Sequence, residues 1–272
     1  MALSINGNIA ALTARRHLNE STNQLGKTFA RLSSGLRVNS AADDAAGLSI
    51  AGKMTAQIRG TNQAIRNAND AISLVQVADG ALDETESALQ RMRELAVQAA
   101  SDTYTTSDRQ DLQTELDELI SEVARIASDT EFNDKTLLLG GINANKIQVG
   151  PDAGQTIAMT IDSASATDLG VNAVNISQQT VANTAITTLD SAIASVSDIR
   201  ATLGAVQNRM ESAIASLSNI SENTEAARSR IMDADIATET SNLTRNAILQ
   251  QAGTAVLAQA NQQPQLALLL LN

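Results

Sequence analysis

The sequence predicts a mainly α protein, a long antiparallel helical rod or coiled-coil bundle interrupted by one small β-hairpin region. Three observations predict it. Apolar residues recur in seven-residue and four-three steps over three long stretches. The 272 residues include only three aromatics, Phe29, Tyr104 and Phe132, and no Trp. The apolar 43% is chiefly Ala, Leu, Ile and Val with Ser, Thr, Asn and Gln between them. That mixture suits helices meeting along narrow seams. It does not suit a core built on large aromatic side chains.

Both ends of the chain read as helical, less regularly than the middle. Ile5, Ile9 and Leu12 form one stripe; Leu18, Leu25, Phe29, Leu32 and Leu36 form another, rotated from the first. From about Asp44 to Ala100, Ile58, Ile65 and Ile72 recur every seven residues. Val75, Leu82, Leu89 and Ala96 continue with the same step. A continuous helix over that stretch would be about 85 Å long. Gly52, Gly60 and Gly80 weaken it, each by up to about 1 kcal/mol relative to Ala.

Ser107 to Gln110 reads as the capping box of a second helix, with the seam Leu112, Leu116, Leu119, Val123 and Ile126. The short polar linker at Thr103 to Thr106 folds it back antiparallel on the first. A third long helix is expected from about Ala182 to Ala227. Its seam is Ile186, Leu189, Ile193, Val196, Arg200, Leu203, Gln207, Met210, Ile214 and Leu217, with Arg200 and Gln207 snorkelling outward from a seam edge. Between these helices, Lys146–Gly150 and Gln155–Ile161 alternate apolar and polar residues around Pro151 and Asp152, which reads as a β-hairpin. A Ser/Ala/Thr-rich loop, Asp162 to Asp168, follows it.

Composition excludes several chemistries. There is no Cys, so there is no disulfide, thiolate nucleophile or cysteine-ligated metal. His17 alone cannot build a multi-histidine metal site. The sequence contains no P-loop and no dinucleotide-binding glycine motif, so no cofactor is expected and an enzymatic reading has no supporting residues. The net charge of −11 argues against nucleic acid as a partner. No stretch reaches the roughly 18 apolar residues of a membrane span. The first residues lack the basic-then-apolar order of a cleavable secretion signal.

The charge is unevenly placed. Residues 1–42 hold Arg15, Arg16, Lys27, Arg31 and Arg37 against Glu20, a net of +4, and residues 241–272 hold Arg245 alone. The rest of the chain therefore carries −16. Near the C-terminus Ile236, Leu243, Ile248, Leu249, Val256 and Leu257 lie among alanines, and Pro264 precedes Leu266, Leu268, Leu269 and two further leucines. Each leucine is worth roughly 1.5–3 kcal/mol when buried, so these ends want a partner.

Four runs resemble bacterial flagellins. They are Ser33-Ser-Gly-Leu-Arg-Val-Asn-Ser-Ala-Ala-Asp-Asp-Ala-Ala-Gly-Leu48, Gln90-Arg-Met-Arg-Glu-Leu-Ala-Val-Gln98, Ser229-Arg-Ile-Met-Asp-Ala-Asp-Ile-Ala237 and Ile248-Leu-Gln-Gln-Ala-Gly-Thr-Ala-Val-Leu-Ala-Gln-Ala-Asn261. The resemblance covers about residues 1–140 and 182–272. The chain departs from the family in three places. It has Phe132-Asn-Asp134 for Phe-Asn-Gly, its last residue is not basic, and its middle is short enough that large outer domains are missing.

The resemblance implies a self-assembling structural subunit of the flagellar filament, extracellular and exported without a cleaved signal peptide. It implies that residues 1–42 and 235–272 pair as an inner core, disordered in the free monomer. Residues 43–134 and 182–234 would form an outer helical layer, and 135–181 a small insert. The assembly core would comprise Ile5, Ile9, Leu12, Leu25, Phe29, Leu32, Leu243, Leu249, Val256, Leu257, Leu266, Leu268 and Leu269. Burial of these side chains would drive a helical homopolymer, since a head-to-tail contact that does not close makes a filament.

The resemblance also implies an export chaperone, a filament cap, and a vertebrate toll-like receptor reading Arg91, Leu95 and Glu115. On chemistry alone, those three are ordinary helix-surface residues that pair with adjacent subunits. A hook–filament junction protein with flagellin-like ends is the second reading. A signalling coiled-coil rod is a third, less favoured because it would not need apolar termini. Asp43–Asp44, Asp233 and Asp235 are expected to cap helices rather than act as acids or ligands. His17 is expected on a helix surface, and Gly35 at a helix break.

Overall fold

The computed structural model describes residues 7–269, with side chains as far as Gln262. The chain is mainly α, with helices α1 (Ile9–Ser34), α2 (Ala45–Ala99), α3 (Thr106–Asp129), α4 (Gln179–Met232) and α5 (Ile236–Leu269). Between α3 and α4 lie strands β1 (Glu131–Phe132), β2 (Lys135–Thr136), β3 (Ile142–Gln148) and β4 (Thr156–Ile161), paired as two antiparallel hairpins, β1–β2 and β3–β4. The described chain divides into two compact units, 57–222 and 1–56 with 223–272. The boundary thus falls inside α2 and α4, after residue 42 on the first and before residue 235 on the second.

The unit 57–222 has one hydrophobic core shared by α2, α3, α4 and both the hairpin and the loop that follows it. In α2 the buried residues of this unit are Ile58, Thr61, Ala64, Ala68, Ala71, Val75, Ala78, Leu82, Thr85, Leu89, Met92, Leu95, Ala96 and Ala99, and from Thr61 onward all but Leu95 follow an unbroken four-three repeat. Ile65 and Ile72, expected in this seam, flank it half-buried while alanines occupy it. The same displacement occurs in α4, whose buried repeat is Ala182, Ala185, Leu189, Ala192, Val196, Ile199, Leu203, Val206 and Met210. Ile186, Ile193, Arg200 and Gln207 stand one position beside it. Alanine at alternate seam positions lets helices approach closely, and the larger neighbours then pack over the edges.

Arg200 does not simply snorkel. Its guanidinium bonds Asp79 at 2.9 Å, Asp83 at 3.0 Å and Glu86 at 2.6 Å, three carboxylates on successive turns of α2. These partners raise its pKa, first through the hydrogen bond to Asp79 and then through that to Glu86. Gln207 bonds Glu211 on its own helix.

The capping box of α3 begins at Thr105, not Ser107. The Thr105 hydroxyl accepts from the Asp108 amide at 3.3 Å and the Asp108 carboxylate accepts from the Thr105 amide at 2.8 Å. Asp serves here in the position where Glu or Gln is the common signature.

The insert 135–181 contributes to the same core. Ile157, Met159 and Ile161 of β4 and Ile142 of β3 are buried in the core. The following stretch, expected as a polar loop, buries Ala164, Ala166, Leu169, Val171, Val174 and Ile176 there as well. Where the sequence shows Phe132-Asn-Asp134, the chain makes a two-residue hairpin with Asn133 at φ 52° and Asp134 at φ 60°, the left-handed pair of a type I′ turn.

Candidate assembly site

In the unit formed by 1–56 and 223–272, α1 ends at Gly35, whose φ of 70° turns the chain out of the helix. The connector after it lies against the connector between α4 and α5. The Arg37 amide donates to the Met232 carbonyl at 2.6 Å, the Ala234 amide to the Gly35 carbonyl at 2.9 Å, and Arg37 Nη2 to the Ile231 carbonyl at 2.6 Å. Val38 is buried beneath this clasp.

Of the aspartates in the two connectors, Asp44 and Asp235 cap the helices that follow them, as expected, whereas Asp43 and Asp233 bond serines instead. Asp44 accepts from the Gly47 amide at 2.8 Å, and Asp235 from the Ala237 amide at 2.9 Å. Asp43 accepts from the Ser40 hydroxyl and amide, both at 3.0 Å, and Asp233 from the Ser229 hydroxyl at 2.6 Å. The bonds to Ser40 hold the Asp43 carboxyl below its ordinary range, and the Thr238 hydroxyl, then the Thr238 and Ala237 amides, do so for Asp235.

From the clasp, α1 and α5 run side by side in opposite directions. Arg31 reaches Glu239 at 3.2 Å near the clasp, Gly253 lies against Leu18 midway, and Asn8 Nδ2 donates to the Ala260 carbonyl at 2.7 Å at the far end. The positions turned toward the partner helix follow a four-three repeat. On α1 the buried ones are Ala11, Ala14 and Thr28, with Leu18, Leu25 and Leu32 half-buried. On α5 they are Glu239, Asn246 and Ala260, with Leu243 and Leu257 half-buried.

Among the described residues, several large apolar side chains of the pair are on its outside. Ile9 is 76% exposed, Phe29 66% and Val256 59%; Leu12, Ile236, Ile248 and Leu249 are likewise exposed. The residues expected to drive assembly therefore divide in two. Leu25, Leu32, Leu243 and Leu257 belong to the seam between the helices, while Ile9, Leu12, Phe29, Leu249 and Val256 face away from it. Ile5 and the side chains of Leu266, Leu268 and Leu269 lie outside the described residues.

The three residues singled out for receptor recognition do not share a surface. Leu95 is fully buried in the core of the other unit. Arg91 and Glu115 are exposed and joined, with Arg91 Nη2 at 2.7 Å and Nε at 3.0 Å from Glu115 Oε1. Arg91 also reaches Glu94 at 3.0 Å. Hydrogen bonding to Glu115, then to Glu94, raises the pKa of Arg91. Leu95 lies four residues from Arg91, but the helix turns it inward into the core. His17 is exposed on α1, 3.9 Å from Glu20.

Sequence reasoning missed Arg31 and Glu239. The available signal was that Glu239 is the one acid between residues 236 and 272. Among the described residues no group of three or more His, Cys, Asp or Glu could hold a metal ion, and no helix is long and apolar enough to cross a membrane.

Long capped helices and close-packed seams, with several large apolar residues exposed on the terminal pair, describe a helical structural subunit. The chain belongs to the bacterial flagellin family. The flagellin N-terminal helical region matches residues 5–143 and the C-terminal helical region residues 186–271. The flagellin of Halalkalibacterium halodurans is 48% identical over 98% of this chain and 99% of its own length. A flagellar filament 33 kDa core protein of Treponema phagedenis is 43% identical over 98% and 99%. The crystal structure of Bacillus cereus flagellin, 32% identical, superposes with a TM-score of 0.50 over 56% of this chain and 88% of that one. The chain is a structural component of the flagellar filament.

Proposed function

We propose that the chain polymerises by burying the outer apolar faces of α1 and α5 against the same helices of neighbouring copies. The observation that carries this reading is the exposure of Ile9, Leu12, Phe29, Leu249 and Val256 on a pair whose own seam is lined by Ala, Thr, Asn and Leu around the Arg31–Glu239 ion pair. Full burial of such side chains is worth roughly 1.5–3 kcal/mol each, a driving force repeated in every subunit. The subunit acts mechanically, outside the cell, with an export chaperone and a filament cap as the transient partners the family implies.

The test is removal of residues 236–272. The unit 57–222, with its own core, stays folded by circular dichroism, and electron microscopy under polymerising conditions shows no filaments. Filaments from that truncation would overturn the mechanism. A milder version, Phe29→Ser with Val256→Ser, raises the concentration needed for polymerisation without loss of helix content.

Recognition by a toll-like receptor is a second reading, supported by the exposed Arg91–Glu115 pair. A basic and an acidic group held side by side on facing helices can serve as a recognition spot. Reporter stimulation by soluble monomer that is unchanged by Arg91→Ala would count against it.

A further inference from the structure

We propose that Arg31 and Glu239 set the register in which α1 and α5 pair, and so decide which apolar residues the pair presents for assembly. The inference rests on the reading that those outer faces drive polymerisation. The pair lies one turn from the clasp, with Arg31 Nη1 3.2 Å from Glu239 Oε1. Glu239 is only 7% exposed, and Arg31 Nε and Glu239 Oε2 are buried without a hydrogen-bond partner. Two long charged side chains in a helix seam are costly unless they meet, so they penalise every arrangement in which they do not.

The rest of the seam discriminates poorly. Leu18, Leu25 and Leu32 recur at seven-residue intervals, so sliding α5 by one heptad exchanges one leucine for the next. Most other seam positions hold small or neutral polar residues that accept several neighbours. Apart from Arg37 Nη2, the clasp joins main chain to main chain, and backbone bonds carry no sequence information. The ion pair is different because it has no heptad echo. Seven residues from Arg31 stand Gln24 and Val38, and seven from Glu239 stand Met232 and Asn246. A slip in either direction leaves Glu239 buried beside a neutral side chain.

Register matters because it is shared. A slip of one heptad moves Val256 and Leu249 about 10 Å along α1 relative to Phe29 and Leu12. Their combined face would then no longer repeat from one subunit to the next. A buried pair that contributes little to stability can therefore decide whether a regular polymer forms.

The absence of native cysteine permits a direct test. A Cβ placed on Gly253 would lie 3.8 Å from Leu18 Cβ, within the range a disulfide spans. Leu18→Cys with Gly253→Cys reports the native register. Leu18→Cys with Asn246→Cys, or with Ala260→Cys, reports a slip of one heptad either way. Each cysteine pair is oxidised in soluble and in sedimented protein. Internal disulfides are separated from intersubunit ones by mobility on non-reducing gels, and filaments are imaged in parallel.

With Arg31 and Glu239 present, the native pair closes and the slipped pairs give less than a tenth of its yield. With Arg31→Leu and Glu239→Leu, the slipped pairs rise at least tenfold and filaments become irregular or fail. The charge exchange Arg31→Glu with Glu239→Arg restores the native preference. An undiminished native preference in the leucine variant overturns the proposal and leaves register to the clasp. Loss of the native disulfide in both the leucine and the exchanged variants overturns it too. Regular filaments with an altered disulfide pattern would instead sink the reading that the outer faces drive assembly.

Discussion

Pro151, in the loop between β3 and β4, sits directly on Gly60 of α2: a Cβ added at Gly60 would lie 3.0 Å from Pro151 Cβ and 3.2 Å from its Cα. The end of β3 is tied to α2 two turns further on, where Asn67 Nδ2 donates to the Gln148 carbonyl at 3.1 Å. Gly60 therefore does not merely weaken the helix; it leaves the notch into which the hairpin docks. A Gly→Ala change in an open helix position gains up to about 1 kcal/mol. That gain is expected at Gly80 and Gly204, which face open space. At Gly60 the methyl forces the proline backbone away, and overpacking of this kind costs about 1–3 kcal/mol. Urea unfolding should place Gly60→Ala below the parent and Gly80→Ala above it. Equal midpoints for the two would show that the contact is not tight.

Leu95 and Arg91 will separate folding from recognition. Leu95 is fully buried, so Leu95→Ala should cost about 2–5 kcal/mol through lost contacts and a cavity. Arg91→Ala removes an exposed guanidinium from a surface pair and should leave the unfolding midpoint almost unchanged. Loss of receptor stimulation with Leu95→Ala, unaccompanied by a fall in thermal midpoint, would contradict the buried placement.

The sequence disclosed the helices more readily than their seams. Ile65, Ile72, Ile186 and Ile193 stand out among alanines, and a reader of periodicity follows them. Yet the chain buries Ala64, Ala71, Ala185 and Ala192, because alanine lets the helix axes come together and isoleucine then covers the edge. The seam was legible in period and displaced in phase. The stretch from Ala164 to Ile176 buries its residues in alternating steps of two and three, the period of neither a helix nor a strand, so only its apolar residues could have suggested the core. The Arg31–Glu239 pair is 208 residues apart in sequence, and no local pattern predicts such a contact.

The β1–β2 turn offers a gain. Asn133 and Asp134 both hold positive φ, and the second position of a type I′ turn favours glycine. Asp134→Gly relieves a left-handed side chain at some cost in unfolded-chain entropy. A net stabilisation of about 0.5 kcal/mol is expected, read as a rise in urea midpoint with unchanged slope. A fall would mean that the Asp134 side chain contributes more than its backbone strain costs.

Acid should weaken the caps before the cores. Asp108 and Asp235 have pKa values held below the carboxylate reference of 3.8. The Thr105 amide, then its hydroxyl, do this for Asp108; the Thr238 hydroxyl leads for Asp235. A carboxyl depressed in the folded state adds stability that is complete above its unfolded pKa and lost as pH falls through the folded one. The thermal midpoint should thus be flat across neutral pH and decline from about pH 4 downward. Asp108→Asn with Asp235→Asn removes two titrating groups while leaving oxygen acceptors, so the acid decline should become shallower. A decline as steep as the parent's would assign it to other carboxylates.

Amide exchange should distinguish the two units in the free subunit. The core of 57–222 buries leucine, isoleucine, valine and methionine around three helices and two hairpins. Among the described residues the α1–α5 pair buries Ala11, Ala14, Thr28, Glu239, Asn246 and Ala260, little apolar area for two long helices. Helices held by so little tertiary packing open locally at small cost. In monomer, amides of residues 9–34 and 236–262 should therefore exchange at least a hundredfold faster than those of residues 64–99 in α2. In sedimented polymer, where neighbours cover Phe29 and Val256, the difference should largely close. Protection of residues 9–34 in the monomer equal to that of α2 would show that the pair is stable alone and that assembly adds no order to it.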